Sequence, residues 1–412
     1  MTKGRYDLYV NIQGMGIVQA ADCVVVEEKG VLSDFGLRYR EAFLAQPGAF
    51  SLDPAQLPLG EGPFELSCRG GMPGLIDDYL PDAWGRRVLA HLAFYRDRKE
   101  YNAHSVIDAL SMIGHSRIGA LCIVEQGASP FFDPGVDIAC LEKAEAAAQQ
   151  VDATDFREVS VDEMSLLYLA NNGTGVGGAR PKALVCEAGR NYIAKFNRLS
   201  QDPFNNARIE LACLVMANSA GIDTPAAKVR TGINGREVLL VERFDVNEDG
   251  TRNHLVSINA LLKEPHSQRD VGRAFRYDDI RSVLQQRSGR IEPDLQQLLK
   301  RMLFNRMINN TDDHERNFSL LYDGECFAFA PAYDMIPSVE RGAYHAAGFQ
   351  FSPLPPRPTE VARLGKVFGL PKAVVARCAE VVRAAGAQWH DIAQECGVEE
   401  READRVQSLF HL

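Results

Sequence analysis

Hydrophobic and polar positions change their spacing along the chain, and the first part of the chain has the spacing of strands. Apolar and polar residues alternate in three short runs, as in half-buried strands; these runs lie at residues 6–12, 23–27 and 36–39. Residues 52–64 are rich in proline and glycine, which indicates a loop. Helical spacing begins near residue 82 and returns in the Ala- and Glu-rich residues 139–150. The N-terminal region is therefore predicted to be rich in β-strands.

The pattern changes after about residue 160. A glycine-rich segment at residues 171–178 precedes three apolar runs that predict strands at residues 183–186, 192–196 and 238–241. A helix is predicted at residues 209–220, ended by Gly221 as its C-cap. After residue 255 the signal is mainly helical, and only a short hairpin near residues 318–330 interrupts it. The predicted helices lie at residues 278–287, 294–309, 358–368, 372–385 and 388–396.

These patterns predict an α+β protein with three parts. We expect a β-rich N-terminal subdomain at residues 1–125 and an α/β nucleotide-binding region at residues 126–255. A helical C-terminal lobe then occupies residues 256–412. The glycine- and proline-rich residues 126–137 predict the first boundary.

Composition narrows the class of protein without naming it. The 412 residues carry a formal net charge of -10, which argues against binding nucleic acid through overall charge. The nine cysteines form no CxxC pair, so neither a zinc site nor a disulfide framework is predicted. No leader and no apolar run of the roughly 18 residues needed to span a membrane is visible. We expect a cytoplasmic protein with no membrane partner.

The segment with the most chemical information is residues 309–318, which read NNTDDHERNF. It contains Asp312 and, five residues later, Asn317, and Asp334 follows after another seventeen. Protein kinases use this order for a catalytic Asp, an Asn that holds a metal ion and a second metal-binding Asp. The spacing predicts that Asp312 accepts the proton of an attacking hydroxyl and that Asn317 and Asp334 hold Mg²⁺. The alternative is an Asx-rich loop that caps two helices.

Residues upstream supply the other parts of a nucleotide site. Lys195 lies on a predicted strand from which it can reach ATP phosphates, and Glu210 on the following helix can pair with it. The glycine-rich segment, with Gly177, Gly178 and Lys182, allows backbone N–H groups to approach phosphates. Each of these features alone has a more ordinary explanation, such as a surface carboxylate on a helix or a simple turn.

A hinge for adenine is predicted directly after the strand at residues 238–241. Residues 241–245 read VERFD, so backbone groups near Glu242 and Arg243 could meet the adenine edge while Phe244 packs nearby. A strand that ends in a charged turn explains the same residues equally well.

Several motifs together make the chain resemble the HipA family of bacterial toxin serine/threonine kinases. The resemblance is carried by GGARPK at residues 177–182, VERFD at residues 241–245 and NTDDHERNF at residues 310–318. It is also carried by APAYD at residues 330–334 and by two N-terminal motifs, YLPDAWGRR at residues 79–87 and GHSRIGA at residues 114–120. The motifs follow one another in the order of the family.

The resemblance implies a protein-kinase-like two-lobed fold with an all-helical C-terminal lobe, and it implies ATP and Mg²⁺. By matched position Asp312 is the catalytic residue, and Asn317 and Asp334 hold the metal ion. The residues implied to contact the nucleotide are Gly177, Gly178, Ala179, Arg180, Lys182, Lys195, Glu242, Arg243, Phe244, His314, Asn317, Tyr333 and Asp334. Family members often carry a regulatory serine in the glycine loop; the matching position here is Gly175, and the hydroxyl of Thr174 is one residue out of register.

The resemblance also implies partners. The family's toxins phosphorylate translation components such as an aminoacyl-tRNA synthetase, and a HipB-like helix-turn-helix antitoxin restrains them. DNA would be contacted only indirectly, through that antitoxin. The leading hypothesis is therefore an ATP- and Mg²⁺-dependent Ser/Thr protein kinase that acts as a toxin. The alternatives are a small-molecule kinase on the same scaffold and a nucleotide-binding co-repressor that partners a helix-turn-helix protein.

Overall fold

The computed structural model describes most of the chain. The described residues are 1–98, 100–113, 117–133, 135–153, 181–197, 202, 204–232, 235–267, 274–339 and 344–412. The glycine-rich segment, with Thr174, Gly175, Gly177, Gly178, Ala179 and Arg180, lies outside the described residues, and so do Gly114, His115 and Ser116.

A five-stranded antiparallel sheet forms the N-terminal part. Its strands are β1 (Thr2–Ile12), β2 (Gly16–Glu28), β3 (Val31–Tyr39), β4 (Pro63–Ser67) and β5 (Leu121–Glu125), in the order β4-β3-β2-β1-β5. The three predicted strands are confirmed, whereas β4 and β5 were not predicted. Four helices accompany the sheet: α1 (Glu41–Leu44), α2 (Gly74–Tyr79), α3 (Ala83–Asp97) and α4 (Val106–Met112). Alternation explains β1, because Leu8, Val10 and Ile12 are buried in one core.

A second sheet occupies the middle of the chain. Its strands are β6 (Val136–Asp137), β7 (Lys182–Glu187), β8 (Arg190–Phe196), β9 (Ala227–Thr231) and β10 (Glu237–Glu242), in the order β6-β7-β8-β10-β9. Helices α5 (Leu141–Ala153) and α6 (Asn206–Ser219) flank it. Ala194 and Phe196 of β8 share a hydrophobic core with the N-terminal sheet and α5. The first and second sheets therefore pack together through one shared hydrophobic core.

The C-terminal part is mainly helical. Its helices are α7 (Ile258–Leu262), α8 (Tyr277–Arg287), α9 (Ile291–Met307), α10 (Pro358–Val361), α11 (Lys372–Ala387), α12 (Trp389–Glu395) and α13 (Glu400–Gln407). They share one core, in which Trp389 is fully buried and every residue of the C-terminal part of α9, residues 301–307, is buried. No helix within the described ranges is both long and apolar enough to cross a membrane.

Two predictions for this part were wrong. The lobe is not all-helical, because β12 (Ser319–Tyr322) pairs with both β11 (His254–Ser257) and β13 (Phe327–Phe329) in a three-stranded antiparallel sheet. A two-stranded hairpin is marginally stable alone, and β11 supplies the third strand. The helix predicted at residues 358–368 ends as α10 at Val361 and continues only as a 3₁₀ turn to Leu364. Gly365 then adopts a φ of +78°, which a right-handed helix cannot continue through.

Candidate active site

The candidate catalytic loop connects the buried helix α9 to strand β12. Asn309 follows α9 with a φ of +59°, a left-handed conformation that Asn tolerates better than most residues and that turns the chain out of the helix. The side chain of Asn310 then donates to Asn305 Oδ1 at 3.1 Å and to the backbone oxygen of Asp334 at 3.2 Å. These bonds join the start of the loop to the helix below it and to the segment that carries Asp334.

Asp312 and Asp313 are neighbours with opposite environments. The Asp312 side chain is 78% exposed, whereas that of Asp313 is fully buried. Asp313 accepts hydrogen bonds from Tyr277 Oη at 2.7 Å, His345 Nδ1 at 2.8 Å and the backbone N–H of Ala347 at 3.1 Å. Asp313 thus anchors the loop, and Asp312 is the carboxylate that a substrate can reach.

Asn317 and His314 shape the rest of the loop. The amide nitrogen of Asn317 donates to the backbone oxygen of Asp312 at 2.6 Å, so its amide oxygen is the end left for a cation. His314 Nδ1 accepts from the backbone N–H of Arg316 at 3.2 Å and caps a 3₁₀ turn at residues Glu315–Asn317. In the neutral ring the proton then lies on Nε2, which is 3.8 Å from Asp312 Oδ1.

Asp334 is held in an uncommon backbone conformation. Its φ is +53°, a region that costs energy for a non-glycine residue and that recurs at functional sites. The preceding Tyr333 fixes the segment, because its hydroxyl is 2.8 Å from Ser319 Oγ and donates to the backbone oxygen of Arg316 at 3.1 Å. Asn317, Tyr333 and Asp334 line one small cavity, so the segment that carries Asp334 faces the catalytic loop.

Lys195 connects the second sheet to this segment. Its Nζ lies 2.6 Å from Glu210 Oε1 on α6 and also forms an ion pair with Asp334. The predicted pairing of Lys195 with Glu210 is therefore confirmed. Burial alone would lower the pKa of Lys195, but the carboxylates of Asp334 and Glu210 outweigh that effect and raise it. The lysine therefore stays charged at physiological pH.

Lys182 is a second buried cation beside Lys195. The two lysines face each other across the β7–β8 pair, and Lys182 Nζ is 3.7 Å from Asp82 Oδ2 of the N-terminal part. Burial lowers the pKa of Lys182, and the carboxylates of Asp82 and Asp334 act against that shift. For the carboxylate of Asp334 burial acts in the opposite direction and would raise the pKa, but Lys195 and Lys182 hold the pKa below its ordinary value. Two lysines therefore surround the carboxylate of Asp334. Their positive charge is what a site for anionic phosphates requires.

The predicted hinge turns its charged side chain inward. The Arg243 guanidinium is fully buried, and it binds Asp245 at 2.6 Å and the backbone oxygen of Arg117 at 2.7 Å. The backbone N–H groups of Glu242 and Arg243 donate to the carbonyls of Ala226 and Asn191. Phe244 stacks on Tyr333 with ring centroids 6.1 Å apart. The Phe244 ring thus faces the Asp334 segment, whereas the Arg243 side chain stabilises the fold.

The residues predicted to hold a metal ion suit Mg²⁺ by their chemistry. Asn317 and Asp334 line the same cavity and offer an amide and a carboxylate oxygen, the hard donors that Mg²⁺ prefers. Among the described residues no three His, Cys, Asp or Glu side chains form a group that could hold a metal ion by themselves. Two protein ligands with substrate phosphates and water are the usual arrangement for Mg²⁺ in phosphoryl transfer.

Sequence reasoning missed several residues that shape the site. They are Asp77, Asp82, Asn310, Asp313 and Arg316. Asp313 and Arg316 lie inside the catalytic motif. Two adjacent charged residues, such as Asp312 and Asp313, do not indicate in the sequence which side chain is buried. Asp77 and Asp82 are distant in sequence, and only the N-terminal motif at residues 79–87 pointed to their neighbourhood.

Comparison with known proteins agrees with the motifs. Residues 174–405, just over half of the chain, match the model of the HipA-like C-terminal domain, and residues 26–124 match that of the HipA N-terminal domain. The protein Y4mE of Sinorhizobium fredii is 32% identical over 131 residues, which are 30% of each chain. Toxin YjjJ of Escherichia coli is 24% identical over 287 residues, which are 65% of this chain and 60% of that one. The chain thus spans less than two thirds of both curated relatives.

A solved structure shows the same fold over nearly the whole chain. The HipA toxin of Shewanella oneidensis MR-1, solved with HipB and its operator DNA, superposes with a TM-score of 0.67 at 16% identity. The match covers 98% of this chain and 94% of that one. From the two domain models and this fold, the chain belongs to the HipA family.

Proposed function

We propose that this protein is an ATP- and Mg²⁺-dependent serine/threonine protein kinase that acts as the toxin of a toxin–antitoxin pair. The observation that carries the proposal is the convergence of Lys195, Glu210 and Asp334 opposite the loop with Asp312 and Asn317. Phosphoryl transfer depends mainly on positioning and charge stabilisation, and this arrangement supplies both.

In the proposed reaction each residue has a separate task. Lys195, kept charged and oriented by Glu210, binds the α- and β-phosphates of ATP, and Lys182 adds positive charge beside it. Asp312 accepts the proton from the serine or threonine hydroxyl of the substrate, which its exposed carboxylate can reach. Asn317 and Asp334 would hold Mg²⁺, which neutralises charge that develops on the transferred phosphoryl group.

The remaining predicted contacts belong to the same proposal. We expect Phe244 to pack against adenine. The N–H groups of Glu242 and Arg243 already donate to Ala226 and Asn191, so the adenine edge would meet other backbone groups near these two residues. We expect His314 and Tyr333 near the phosphates, and Gly177, Gly178, Ala179 and Arg180 among the residues that bind the nucleotide. The division of the chain at residues 125 and 255 also stays a prediction.

Partners follow from the family and from its relatives. The HipA toxin of Shewanella oneidensis was solved with HipB and operator DNA, and we propose that a HipB-like helix-turn-helix protein restrains this chain as well. DNA would then be contacted through that protein. We propose a translation component such as an aminoacyl-tRNA synthetase as the substrate, which would be met in the cytoplasm.

The test is phosphate transfer from γ-labelled ATP in a bacterial lysate. Wild type should label a protein band, and Asp312→Asn should lower the rate by about 10³-fold or more because the proton acceptor is lost. Asp249→Asn is the matched control and should transfer normally, because Asp249 is an exposed carboxylate that accepts from Thr251 within its own turn. Label confined to small molecules would favour the small-molecule kinase, and ATP binding without transfer would favour the co-repressor. Full activity of Asp312→Asn would refute the role of Asp312.

A further inference from the structure

One short segment of the N-terminal part contacts both sides of the candidate cleft, which we define as the space between the β7–β8 pair, with Lys182 and Lys195, and the catalytic loop. It comprises residues 77–82, from the end of α2 to the N-cap of α3. Asp77 contacts the catalytic loop, and Asp82 contacts Lys182 on β7. The two carboxylates are five residues apart in the chain, so one short segment links the two sides of the site.

Asp77 is the centre of a buried ionic cluster. Its Oδ2 accepts from Arg316 Nη2 at 2.8 Å, from Lys263 Nζ at 2.7 Å and from Asn259 Nδ2 at 3.1 Å. Its side chain is only 9% exposed. Burial alone would raise the pKa of Asp77, but the two cations outweigh it and hold the pKa below its ordinary value. The cluster therefore persists as an ion pair across the physiological pH range.

Arg316 transmits this anchoring to the catalytic residues. It lies between His314 and Asn317, and its backbone N–H donates to His314 Nδ1. Its backbone oxygen accepts from the hydroxyl of Tyr333, the residue before Asp334. A fixed Arg316 therefore orients the His314 ring beside Asp312 and holds the segment that carries Asp334. The side-chain polar contacts of Asp77 within the described residues are with Asn259, Lys263 and Arg316, none of which is proposed to react.

Asp82 positions a residue on the other side of the cleft, where it contacts Lys182. Its Oδ1 accepts from the backbone N–H of Gly85 at 2.6 Å as the N-cap of α3, and its Oδ2 faces Lys182 Nζ. Lys182 is 4% exposed and lies opposite Lys195 in the β7–β8 register. Without Asp82, burial and the neighbouring Lys195 would lower the pKa of Lys182 further and favour its neutral form. The N-cap therefore also sets the charge next to the phosphate-binding Lys195.

We propose that Asp77 and Asp82 are positioning residues, through which the N-terminal part sets the geometry and charge of the phosphoryl-transfer cleft. This inference rests on the proposed kinase function. It assigns to the N-terminal part a contribution to the rate that acts through Arg316 and Lys182 and is separate from any contact with a partner.

Kinetics of the full-length protein test the two residues separately. Asp77→Asn should lower kcat by about tenfold or more with little change in KM for ATP, because a misaligned loop affects the transfer step. Asp82→Asn retains an N-capping side chain, since Asn caps helices as well as Asp, and should raise KM for ATP by about tenfold. Glu27→Gln is the matched control: Glu27 is buried in the same part and accepts from Ser105 and Ile107, and this variant should keep both constants.

A double-mutant cycle separates positioning from general destabilisation. If Asp77 acts through Arg316, Asp77→Asn should have almost no further effect on kcat in an Arg316→Gln background. Hydrogen exchange of residues 312–319 in the nucleotide-free protein gives a readout that needs no catalysis. Exchange there should be faster in Asp77→Asn and unchanged in Glu27→Gln.

The outcomes distinguish this inference from the proposed function. A wild type that transfers no phosphate would refute the kinase proposal, while hydrogen exchange would still test whether Asp77 holds the loop. An active wild type whose Asp77→Asn variant keeps its kcat and its exchange pattern would overturn the inference for Asp77. An unchanged KM for ATP in Asp82→Asn would overturn it for Asp82. A kcat loss in Asp77→Asn that Glu27→Gln matches at equal loss of stability would also overturn it.

Discussion

The catalytic loop and the predicted hinge look alike in sequence and differ in how they use charge. Both follow an apolar segment with a short run of charged residues, at residues 312–316 and 242–245. In the loop, Asp312 faces solvent and Asp313 is buried, whereas in the hinge both Arg243 and Asp245 are buried against each other. A charged motif can therefore supply chemistry in one region and stability in the other.

The largest effect that would sharpen this contrast is expected in the hinge. Arg243→Met removes the ion-pair partner of Asp245, which is 2% exposed. The charge of Arg252 and the N–H of Gly119 compensate only in part, so we expect a loss of about 3 kcal/mol of unfolding free energy. Activity per folded molecule should change little, because the guanidinium binds Asp245 and the Arg117 carbonyl. Urea unfolding and ATP kinetics on the same preparation measure both quantities.

A double variant provides the control for the hinge. Arg243→Met with Asp245→Leu removes both charges and should recover part of the lost stability, since replacing a buried pair by apolar residues is often nearly neutral. Recovery will be incomplete because Asp245 also accepts from the backbone N–H of Gly119 at 2.7 Å. A normal unfolding midpoint with a large rise in KM for ATP in Arg243→Met would mean that Arg243 serves the nucleotide instead.

Adjacent carboxylates of the catalytic loop allow the same contrast within one motif. Asp313→Asn should lower the unfolding free energy by about 2 kcal/mol, because the new amide meets donors from Tyr277, His345 and Ala347. Asp312→Asn should stay within about 0.5 kcal/mol of wild type, since the side chain is largely exposed. Thermal or urea unfolding of the two variants side by side provides the measurement. Equal destabilisation by both substitutions would contradict the assigned orientations.

These orientations mark the limit of what the sequence could predict. Periodicity located most strands and long helices within a few residues, because Leu8, Val10 and Ile12 or the buried residues of α9 leave a regular pattern. Motif spacing also predicted the Lys195–Glu210 pair, which the structure confirms at 2.6 Å. Periodicity is a local signal, and motif spacing relies on the known order of motifs along kinase sequences.

Long-range partners left no such signal. Strand β11 completes the sheet of the C-terminal lobe, although it lies more than sixty residues before β12 in the chain. The sequence of residues 254–257 does not indicate which strand it pairs with. Asp77 reaches Arg316 across 239 positions, and a lone carboxylate in a helix resembles a solvated one until its cations are known. The inward turn of Arg243 was missed for a different reason: its partner Asp245 is only two residues away, and a VERFD run is equally typical of an exposed charged turn.

The smallest expected effect concerns the one hinge side chain that faces the cleft. Phe244→Leu removes a stacked contact with Tyr333 and should cost about 1 kcal/mol of stability, the usual value of an aromatic pair. If adenine packs on this ring, KM for ATP should also rise by up to about tenfold while kcat changes little, because the lost contact is equal in the ground and transition states. Tyr322→Leu, which loses stacking on Phe50 away from the cleft, is the control and should leave KM unchanged. If Phe244→Leu keeps its KM, the ring serves only to hold Tyr333, and then the hinge contributes stability alone.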